Sequence, residues 1–265
     1  MAGSELDIEE LAARLEQAFV TNRPITPLSE SAGLTDVADA YRVQSAWSAL
    51  RVGNGDRVVG RKIGLTSKAM REAAGIHEPD FGQMWASRHL PVERGHAELP
   101  AATFIQPRIE GEIAFLMGRD LAGPDVAVAD VLAATDALAP SFEVVDSRII
   151  RRQFSLVDTI SDNASYGAFC VGPWQNSLRN VDLRTLGMLV TRGDEPVVEG
   201  IGAASLGHPA AAVAWLANTL AEFGVPLAAG DIVLSGSLGA AIPVAAGDTF
   251  VMELHGMPPL TLAIT

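Results

Sequence analysis

One stretch of the chain, from Ile105 to Met117, is a long strand candidate that contains two acidic residues and becomes strongly apolar after them. Because side chains on a strand alternate between its two faces, Glu110 and Glu112 point the same way. Gly111 lies between them, and because it has no side chain another part of the chain can approach the opposite face closely. The apolar residues after Glu112 predict a buried strand. Two carboxylates side by side near a core repel each other unless a positive charge lies between them.

A divalent cation is the simplest counter-charge for this acidic pair. Hard cations prefer oxygen ligands, and the lack of a nearby His or Cys in the sequence favours magnesium or manganese over zinc. The alternative is a pair of solvated glutamates on an exposed strand, and the Glu-x-Glu spacing alone does not decide between the two. A further acid, Glu143, lies in the strand candidate Ser141 to Ser147 and favours the metal site. The alternative role of Glu143 is an ion pair with Arg148 at the strand edge.

Lys62 and Asp80, which both precede the acidic strand in the sequence, have side chains suited to proton chemistry. Lys62 lies in the strand candidate Val58 to Leu65 and either reaches solvent or lies near an anion. Near a bound substrate it can act as an acid or stabilise a developing enolate. Asp80 belongs to a Pro-Asp-Phe-Gly segment that is typical of a turn, and it is a candidate to orient or activate water. His77 is interpreted as a loop histidine without a catalytic role.

Three other segments have less specific patterns. The run Asp162 to Ser165 either donates hydrogen bonds to substrate oxygens or simply forms a turn. The glycine-rich run Ser235 to Gly239 lacks both a P-loop lysine and the dinucleotide spacing, so it predicts a tight strand end near a pocket. Cys170 lies in an apolar strand candidate and is interpreted as a core residue, not as a nucleophile.

Composition excludes several classes of protein. Of the 265 residues 48% are hydrophobic and 19% are charged, which suits a large folded core without long disordered segments. A formal net charge of −13 without a basic stripe argues against nucleic-acid binding. The apolar stretches are too short to span a bilayer, the N-terminus lacks the pattern of a secretory signal, and one cysteine fits a reducing compartment. We therefore expect a cytoplasmic protein that binds neither nucleic acid nor membranes.

The order of the predicted elements favours an α+β fold, because strands and helices do not alternate strictly. A helix is predicted from Asp130 to Leu138, with Pro140 barring its continuation. A hairpin is predicted from Leu186 to Gly200. The clearest helix runs from His208 to Phe223, with a proline in its first turn.

Together these segments resemble one family, the 2-hydroxypenta-2,4-dienoate hydratases (2-oxopent-4-enoate hydratases) of aromatic meta-cleavage pathways. These enzymes are grouped with the 4-oxalocrotonate decarboxylases in the fumarylacetoacetate hydrolase superfamily. The resemblance covers nearly the whole chain, and its most specific segments are Gly60 to Lys68, His77 to Gly82, Gln106 to Glu112, Phe142 to Arg148 and Asp162 to Ser165.

The resemblance implies a fumarylacetoacetase-like fold with two regions. Residues 86–265 would form a mixed, mostly antiparallel β-roll that is the catalytic core. Residues 1–85 would form a smaller N-terminal α/β region that contributes Lys62 and Asp80. The resemblance also implies assembly into a homo-oligomer, and a downstream aldolase is a further candidate partner.

The resemblance also implies a set of site residues and a reaction. The implied metal ligands are Glu110, Glu112 and Glu143, binding Mg²⁺ or Mn²⁺, and the implied catalytic residues are Lys62, Asp80 and Ser165. The implied activity is that of a hydro-lyase. It adds water to a small-molecule 2-hydroxy-2,4-dienoate (2-oxo-4-enoate) and yields a 4-hydroxy-2-oxo acid.

Three alternatives stay open. A 4-oxalocrotonate-type decarboxylase would use the same activated acid, although that branch often has methionine in place of Ile63 and lacks the Pro-Asp-Phe-Gly form of the loop around Asp80. An acylpyruvate hydrolase would need a His–Glu pair to activate water, and His77 and Glu78 are immediate neighbours that seldom face each other. A non-catalytic metal-binding subunit would tolerate the loss of Lys62 and Asp80.

Overall fold

The computed structural model describes residues 6–150, 155–177 and 181–265. Within these ranges the α-helices are α1 Ile8–Thr21, α2 Leu28–Ser31, α3 Val37–Gly53, α4 Lys68–Ala74, α5 Val128–Ala134, α6 Leu156–Ser161 and α7 Pro209–Ala221. The strands are β1 Val58–Gly64, β2 Asp80–Trp85, β3 His96–Leu99, β4 Arg108–Met117, β5 Thr135–Val145, β6 Tyr166–Val171, β7 Gly187–Arg192, β8 Glu195–Ile201, β9 Ile232–Leu234, β10 Ile242–Pro243, β11 Thr249–Leu254 and β12 Leu260–Ile264. Among the described helices, none has the length and apolar character needed to cross a membrane.

The described strands form two sheets. The first has the order β2-β1-β9-β4-β5-β6, with β10 also paired to β4, and the second has the order β3-β12-β11-β7-β8. Neighbouring strands are antiparallel except for the parallel pairs β1–β9 and β3–β12. The expectation of a mixed, mostly antiparallel α+β fold is therefore confirmed.

Strand β4 presents different chemistry on its two faces, as the alternation of its residues predicts. A Cβ atom at Gly111 would lie 2.5 Å from the Met188 sulfur and 3.0 Å from the Met252 sulfur, so this face packs against the second sheet. Ile109 and Ile113 share that face and are fully buried. The missing side chain at Gly111 is what allows the two sheets to approach this closely.

The helix predicted from Asp130 to Leu138 is wrong in its second half. Helix α5 ends at Ala134, and the chain enters β5 at Thr135, where the backbone is extended. Pro140, expected to end a helix, lies inside β5, and its carbonyl accepts a hydrogen bond from the Gly172 N–H. Long-range pairing with β4 and β6 outweighs the local helical spacing, as tertiary context often does.

Two other local predictions are confirmed. Strands β7 and β8 form a hairpin that turns at Gly193, which has a positive φ of 55°. Helix α7 begins after His208, whose Nδ1 accepts a hydrogen bond at 3.0 Å from the Ala210 N–H, and Pro209 occupies the first turn.

Strands β1 and β2 bring two of the predicted site residues into the first sheet. They pair antiparallel, with Lys62 opposite Gly82 and Gly64 opposite Asp80. Strand β1 also pairs with β9, which in turn pairs with β4. The first sheet therefore contains Lys62, Asp80 and the acidic strand together. The division of the chain at residue 85 stays a prediction.

A larger side chain at Gly111 tests the close packing of the two sheets. We expect Gly111→Val to lower the free energy of unfolding by about 1–3 kcal/mol, because the added methyl groups displace both methionine side chains. The matched control is Gly187→Val, since a Cβ there meets nothing within 4 Å. Urea denaturation of both variants measures the difference. An equal loss of stability in the two variants would contradict the packing described for β4.

Candidate active site

Three glutamates meet on the face of the first sheet that points away from the second. Glu110 and Glu112 lie on β4, and Glu143 lies on β5 directly opposite Glu110 in the antiparallel register. One carboxylate oxygen from each residue lies within 4.8 Å of the other two. Glu112 and Glu143 are fully buried, and Glu110 is partly exposed. The register thus explains how Glu143 joins the pair on β4.

Burial leaves these carboxylates with few compensating contacts. Glu112 Oε2 accepts a hydrogen bond at 2.7 Å from the Gly236 N–H, whereas its Oε1 has no hydrogen-bond partner among the described residues. Burial, and then the Glu143 and Glu110 charges, raise the pKa of Glu112 well above its ordinary value. Burial likewise raises the pKa of Glu143 to about 7, against the opposing effect of Lys62. The glycine-rich segment after β9 thus contributes one backbone N–H to the cluster.

Lys62 is the ammonium group that faces this acidic cluster. Its Nζ lies 3.0 Å from Glu143 Oε1 and donates a hydrogen bond at 2.9 Å to the Ala164 carbonyl. Burial alone would lower the pKa of Lys62, but the Glu143 and Asp80 carboxylates, with those of the other two glutamates, raise it above the ordinary value. Lys62 is therefore charged at neutral pH. Among the described residues, the ammonium thus makes one hydrogen bond, to the Ala164 carbonyl, and one ion pair, with Glu143.

Asp80 is buried in a strand, and the prediction of a turn at Pro79 to Gly82 is wrong. The local pattern typical of a turn is overruled because the segment pairs with β1. Neither Asp80 oxygen has a hydrogen-bond partner among the described residues. Burial raises the pKa of Asp80, and the Lys62 charge lowers it by a smaller amount. Asp80 is thus a carboxyl group suited to holding a proton.

The segment Asp162 to Ser165 forms a turn beside Lys62. Asn163, Ala164 and Ser165 all have left-handed φ angles, of 54°, 52° and 54°. Left-handed backbone is unfavourable for most residues with a Cβ, at roughly 1–2 kcal/mol each. Strained backbone of this kind is often found at functional sites. Ser165 is largely buried, and the carbonyl that contacts Lys62 belongs to its neighbour Ala164.

A cavity of about 310 Å³ opens over these groups. The residues with polar groups at its wall are Lys62, Asp80, Arg108, Glu110, Thr159 and Ser165, together with the backbone of Ala164. Sequence reasoning gave no role to Arg108, although strand alternation places it on the same face of β4 as Glu110 and Glu112. Its Nη2 donates to the Ala241 carbonyl at 3.0 Å, while its Nε has no hydrogen-bond partner among the described residues.

Other candidates from the sequence lie outside this cavity. His77 and Glu78 are exposed, and neither lines the cavity wall. Cys170 is a buried core residue, as predicted, and burial raises the pKa of its thiol to about 12.

The ion pair between Glu143 and Arg148, the alternative considered from the sequence, is not formed. Arg148 pairs with a different acid, since its Nε lies 2.7 Å from Asp162 Oδ1. Glu143 pairs with Lys62 instead. Glu143 therefore faces the acidic cluster and is not an edge residue of the sheet.

The donor set fits a divalent cation. Glu112 Oε1 and Glu143 Oε2 are buried oxygens without hydrogen-bond partners among the described residues, and one ammonium cannot balance all the nearby carboxylates. Clustered oxygen ligands of this kind suit a hard divalent ion, which would relieve their repulsion. The structure brings together the three glutamates, Lys62 and Asp80, with Ser165 at the cavity wall.

The chain matches a known family along most of its length. The family model described as fumarylacetoacetate hydrolase C-terminal matches residues 64–265. The chain is 44% identical over 259 residues to 2-hydroxyhexa-2,4-dienoate hydratase of Comamonas testosteroni, covering 97% of each chain. It is 46% identical over 218 residues to 2-hydroxypent-2,4-dienoate hydratase of Pseudomonas putida, covering 82% of this chain and 97% of that protein.

A solved structure shares the whole fold. The 4-oxalocrotonate decarboxylase from Pseudomonas putida G7, complexed with magnesium and adipate, matches with a TM-score of 0.92 and 35% sequence identity. The match covers 97% of both chains. The fumarylacetoacetase-like fold expected from the sequence is therefore confirmed.

Removing one glutamate charge tests the metal site without an activity assay. We expect millimolar Mn²⁺ to raise the unfolding temperature of the unaltered protein, because an ion at about a hundred times its Kd contributes about 2.7 kcal/mol. Glu112→Gln should lose most of this gain. Without metal it should unfold at the same temperature or higher, since a buried repulsion is removed. The control is Glu199→Gln, at an exposed position on β8. Full metal stabilisation of Glu112→Gln would contradict the site.

The raised pKa of Glu143 predicts a pH dependence of the metal-free protein. An acid whose pKa rises on folding, here from 4.5 to about 7, binds its proton more tightly when folded. Its contribution is fully present below the unfolded pKa and is lost as the pH rises through the folded pKa. We expect the metal-free free energy of unfolding to fall over this interval, by up to about 1.4 kcal/mol per pH unit for one proton. Urea denaturation across that range measures it, and Glu143→Gln should flatten the slope. A slope unchanged in Glu143→Gln would refute this assignment.

Proposed function

The chain belongs to the fumarylacetoacetate hydrolase family, and on that premise we propose that it is a metal-dependent hydro-lyase. It adds water to a 2-hydroxy-2,4-dienoate (2-oxo-4-enoate) to give a 4-hydroxy-2-oxo acid in aromatic meta-cleavage catabolism. The observation that carries the proposal is that three clustered carboxylates, an ammonium and a buried carboxyl group meet at and beneath one cavity of about 310 Å³. The two hydratases at 44% and 46% identity support this reaction over others.

The proposed metal ligands are Glu110, Glu112 and Glu143, and the proposed ion is Mg²⁺ or Mn²⁺. When bound, such an ion supplies Lewis-acid chemistry that draws negative charge onto the C2 oxygen of the substrate. The all-oxygen donor set supports these two ions. Because Lys62 and Glu110 also line the cavity wall, a substrate in the cavity would lie against both.

The reaction moves two protons and one hydroxyl group. The 2-hydroxyl group of the dienoate loses its proton and C5 gains one, which gives a 2-oxo-3-enoate. The oxygen of a water molecule then bonds to C4 and keeps one proton as a hydroxyl group. The other water proton is delivered to C3. The product is a 4-hydroxy-2-oxo acid that differs from the substrate by one water molecule. The site must therefore stabilise negative charge near C2 and transfer protons farther along the substrate.

Lys62 and Asp80 suit these two tasks. Lys62 has a raised pKa, is held by an ion pair with Glu143 and a hydrogen bond to Ala164, and lines the cavity, so we propose that it stabilises negative charge on a substrate oxygen. Asp80 has a carboxyl group without hydrogen-bond partners among the described residues and a pKa raised by burial. We propose that it holds and transfers a proton of the reaction, because burial favours its protonated form.

The cavity wall supplies two further contacts. The Arg108 guanidinium is proposed to attract the substrate carboxylate, because planar guanidinium groups pair well with carboxylates. Ser165 is proposed to orient the substrate or the attacking water through its hydroxyl group. Both residues line the cavity, so a bound substrate can reach them without a change in the backbone.

Vinylogous decarboxylation of a 2-oxo-hexenedioate is the second candidate. It is favoured by the structural likeness to a 4-oxalocrotonate decarboxylase at 35% identity. It would use the same charge stabilisation at C2 but release CO₂ instead of taking up water. Acylpyruvate hydrolysis is weaker, since the His77–Glu78 pair lies away from the cavity. Assembly into a homo-oligomer, contact with an aldolase and a cytoplasmic location stay predictions.

Parallel assays separate hydration from decarboxylation. We expect the Mn²⁺-loaded protein to remove the conjugated absorbance of 2-hydroxypenta-2,4-dienoate and to form a product heavier by one water molecule. With 2-oxo-hex-3-enedioate it should release little CO₂. Absorbance, mass spectrometry and CO₂ capture record the three quantities. Rapid CO₂ release with no hydration would establish the second candidate instead.

Substitutions of Lys62 and Asp80 test their proposed roles in charge stabilisation and proton transfer. Lys62→Met and Asp80→Asn should each lower kcat by about 10²–10⁴-fold, the usual range for such groups, while both keep the Mn²⁺-induced rise in unfolding temperature. The control is Lys68→Met, at an exposed position on α4. A decrease under about threefold in either variant would argue against the role assigned to that residue.

A further inference from the structure

The left-handed turn Asn163–Ser165 is held at both ends by one buried arginine. Arg148 is only 1% exposed. Its Nη2 donates a hydrogen bond to the carbonyl of Asp162, before the turn, and its Nη1 donates to the carbonyl of Tyr166, after it. The guanidinium thus bridges the residues that flank the three left-handed positions.

A buried carboxylate completes this arrangement. Asp162 Oδ1 lies 2.7 Å from Arg148 Nε, and Asp162 Oδ2 accepts a hydrogen bond at 3.0 Å from the Ser147 hydroxyl group. The guanidinium also lies over the Trp47 ring, at 5.1 Å from its centroid. A guanidinium can make all these contacts because its donors form a rigid planar fork, which an ammonium or a neutral side chain does not reproduce.

The turn is fixed on its other side by strand β2. The Asn163 side chain accepts a hydrogen bond from the Gln83 N–H at 2.7 Å and donates one to the Gln83 carbonyl at 2.8 Å. Gly82 leaves room for the turn, since a Cβ there would lie 2.4 Å from the Asn163 carbonyl oxygen. Gly82 is also the ladder partner of Lys62. The turn is therefore packed against the strand pair that carries Lys62.

The turn has one contact with the proposed reaction. The Ala164 carbonyl, at the middle left-handed position, accepts the 2.9 Å hydrogen bond from Lys62 Nζ. A carbonyl at this position keeps its direction only while the three residues stay left-handed. Because that conformation is unfavourable for residues with a Cβ, flanking contacts must maintain it.

We propose that Arg148 and Asp162 are positioning residues that fix the direction of the Lys62 ammonium through the Asn163–Ser165 turn. Neither residue lines the cavity, so neither touches substrate. They act by orienting the Ala164 carbonyl, whose hydrogen bond fixes the direction of one Lys62 donor while Glu143 attracts the ammonium. The effect on rate rests on the proposed function, whereas the effect on Lys62 does not.

The chain offers a direct probe of Lys62, because Lys62 and Lys68 are its only lysines. The Lys68 side chain is 82% exposed. In ¹⁵N-lysine-labelled protein the buried Lys62 ammonium should therefore give a distinct NMR signal. We expect Arg148→Met to shift or broaden that signal. The control is Arg51→Met, which should leave the signal in place, since the hydrogen bonds of Arg51 among the described residues go to Glu16, Asp56 and Ser87 and not to the turn.

Kinetics on a double-mutant cycle give a second, independent readout. Arg148→Met should lower kcat for dienoate hydration by about tenfold or more, yet by less than about twofold when Lys62→Met is already present. Coupled residues show such non-additivity, whereas a purely structural loss lowers both rates equally. Arg51→Met should lower both rates by the same small factor.

The outcomes separate the two proposals. An unchanged Lys62 signal in Arg148→Met, or an equal rate loss in both backgrounds, would overturn the positioning role. If the unaltered protein hydrates no dienoate, the proposed function fails and the NMR signal still decides the positioning role.

A second variant decides the matter if Arg148→Met does not fold. Gly82→Ala leaves the Arg148–Asp162 ion pair intact, because the three atoms nearest to the added methyl group all belong to Asn163. The methyl group displaces the turn, so we expect the Lys62 signal to shift in this variant too. A Lys62 signal unchanged in Gly82→Ala would then overturn the inference.

Discussion

The repulsion among buried carboxylates on neighbouring strands is the constraint on which the site depends. Glu112 and Glu143 have no exposed surface, and Glu110 lies opposite Glu143 in the same ladder. Such a cluster is costly unless cations balance it. Lys62 contributes one positive charge, and the buried oxygens without hydrogen-bond partners in the described part of the chain suit a second cation. Burial, and then the neighbouring carboxylate charges, raise the pKa of both buried glutamates.

The fold tolerates this cluster because the acidic strand is apolar on its other face. Gly111 and its neighbours pack against the methionines of the second sheet, which anchors β4. Strand alternation then turns Arg108, Glu110 and Glu112 toward the cavity, and the same rule could have found Arg108 from the sequence. The first sheet thus holds the charged groups at fixed distances, as a preorganised site requires. A left-handed turn, held by a buried ion pair, adds the backbone carbonyl that contacts Lys62.

Sequence reasoning predicts the features that depend on local spacing and misses those that depend on distant contacts. The shared face of Glu110 and Glu112 follows from the two-residue period of a strand. The sequence offers Glu143 as a further acid, but its place beside Glu110 depends on the register between β4 and β5, so only the family resemblance implies that it binds the same metal. The local pattern around Asp80 predicts a turn, because the pairing of this segment with β1 is not a local property. No sequence pattern predicts that the Ala164 carbonyl contacts Lys62, because the direction of this carbonyl comes from contacts on both sides of the turn.

In the proposed function, hydration requires one divalent cation at the glutamate cluster. The most direct measurement is a titration of metal-stripped protein with Mn²⁺, in which bound ion is counted by electron paramagnetic resonance and dienoate turnover is recorded in the same samples. We predict that turnover rises in proportion to bound Mn²⁺ and saturates at one ion per chain. Full turnover before any ion is bound, or saturated binding without turnover of any dienoate, would show that an ion at this cluster does not support hydration.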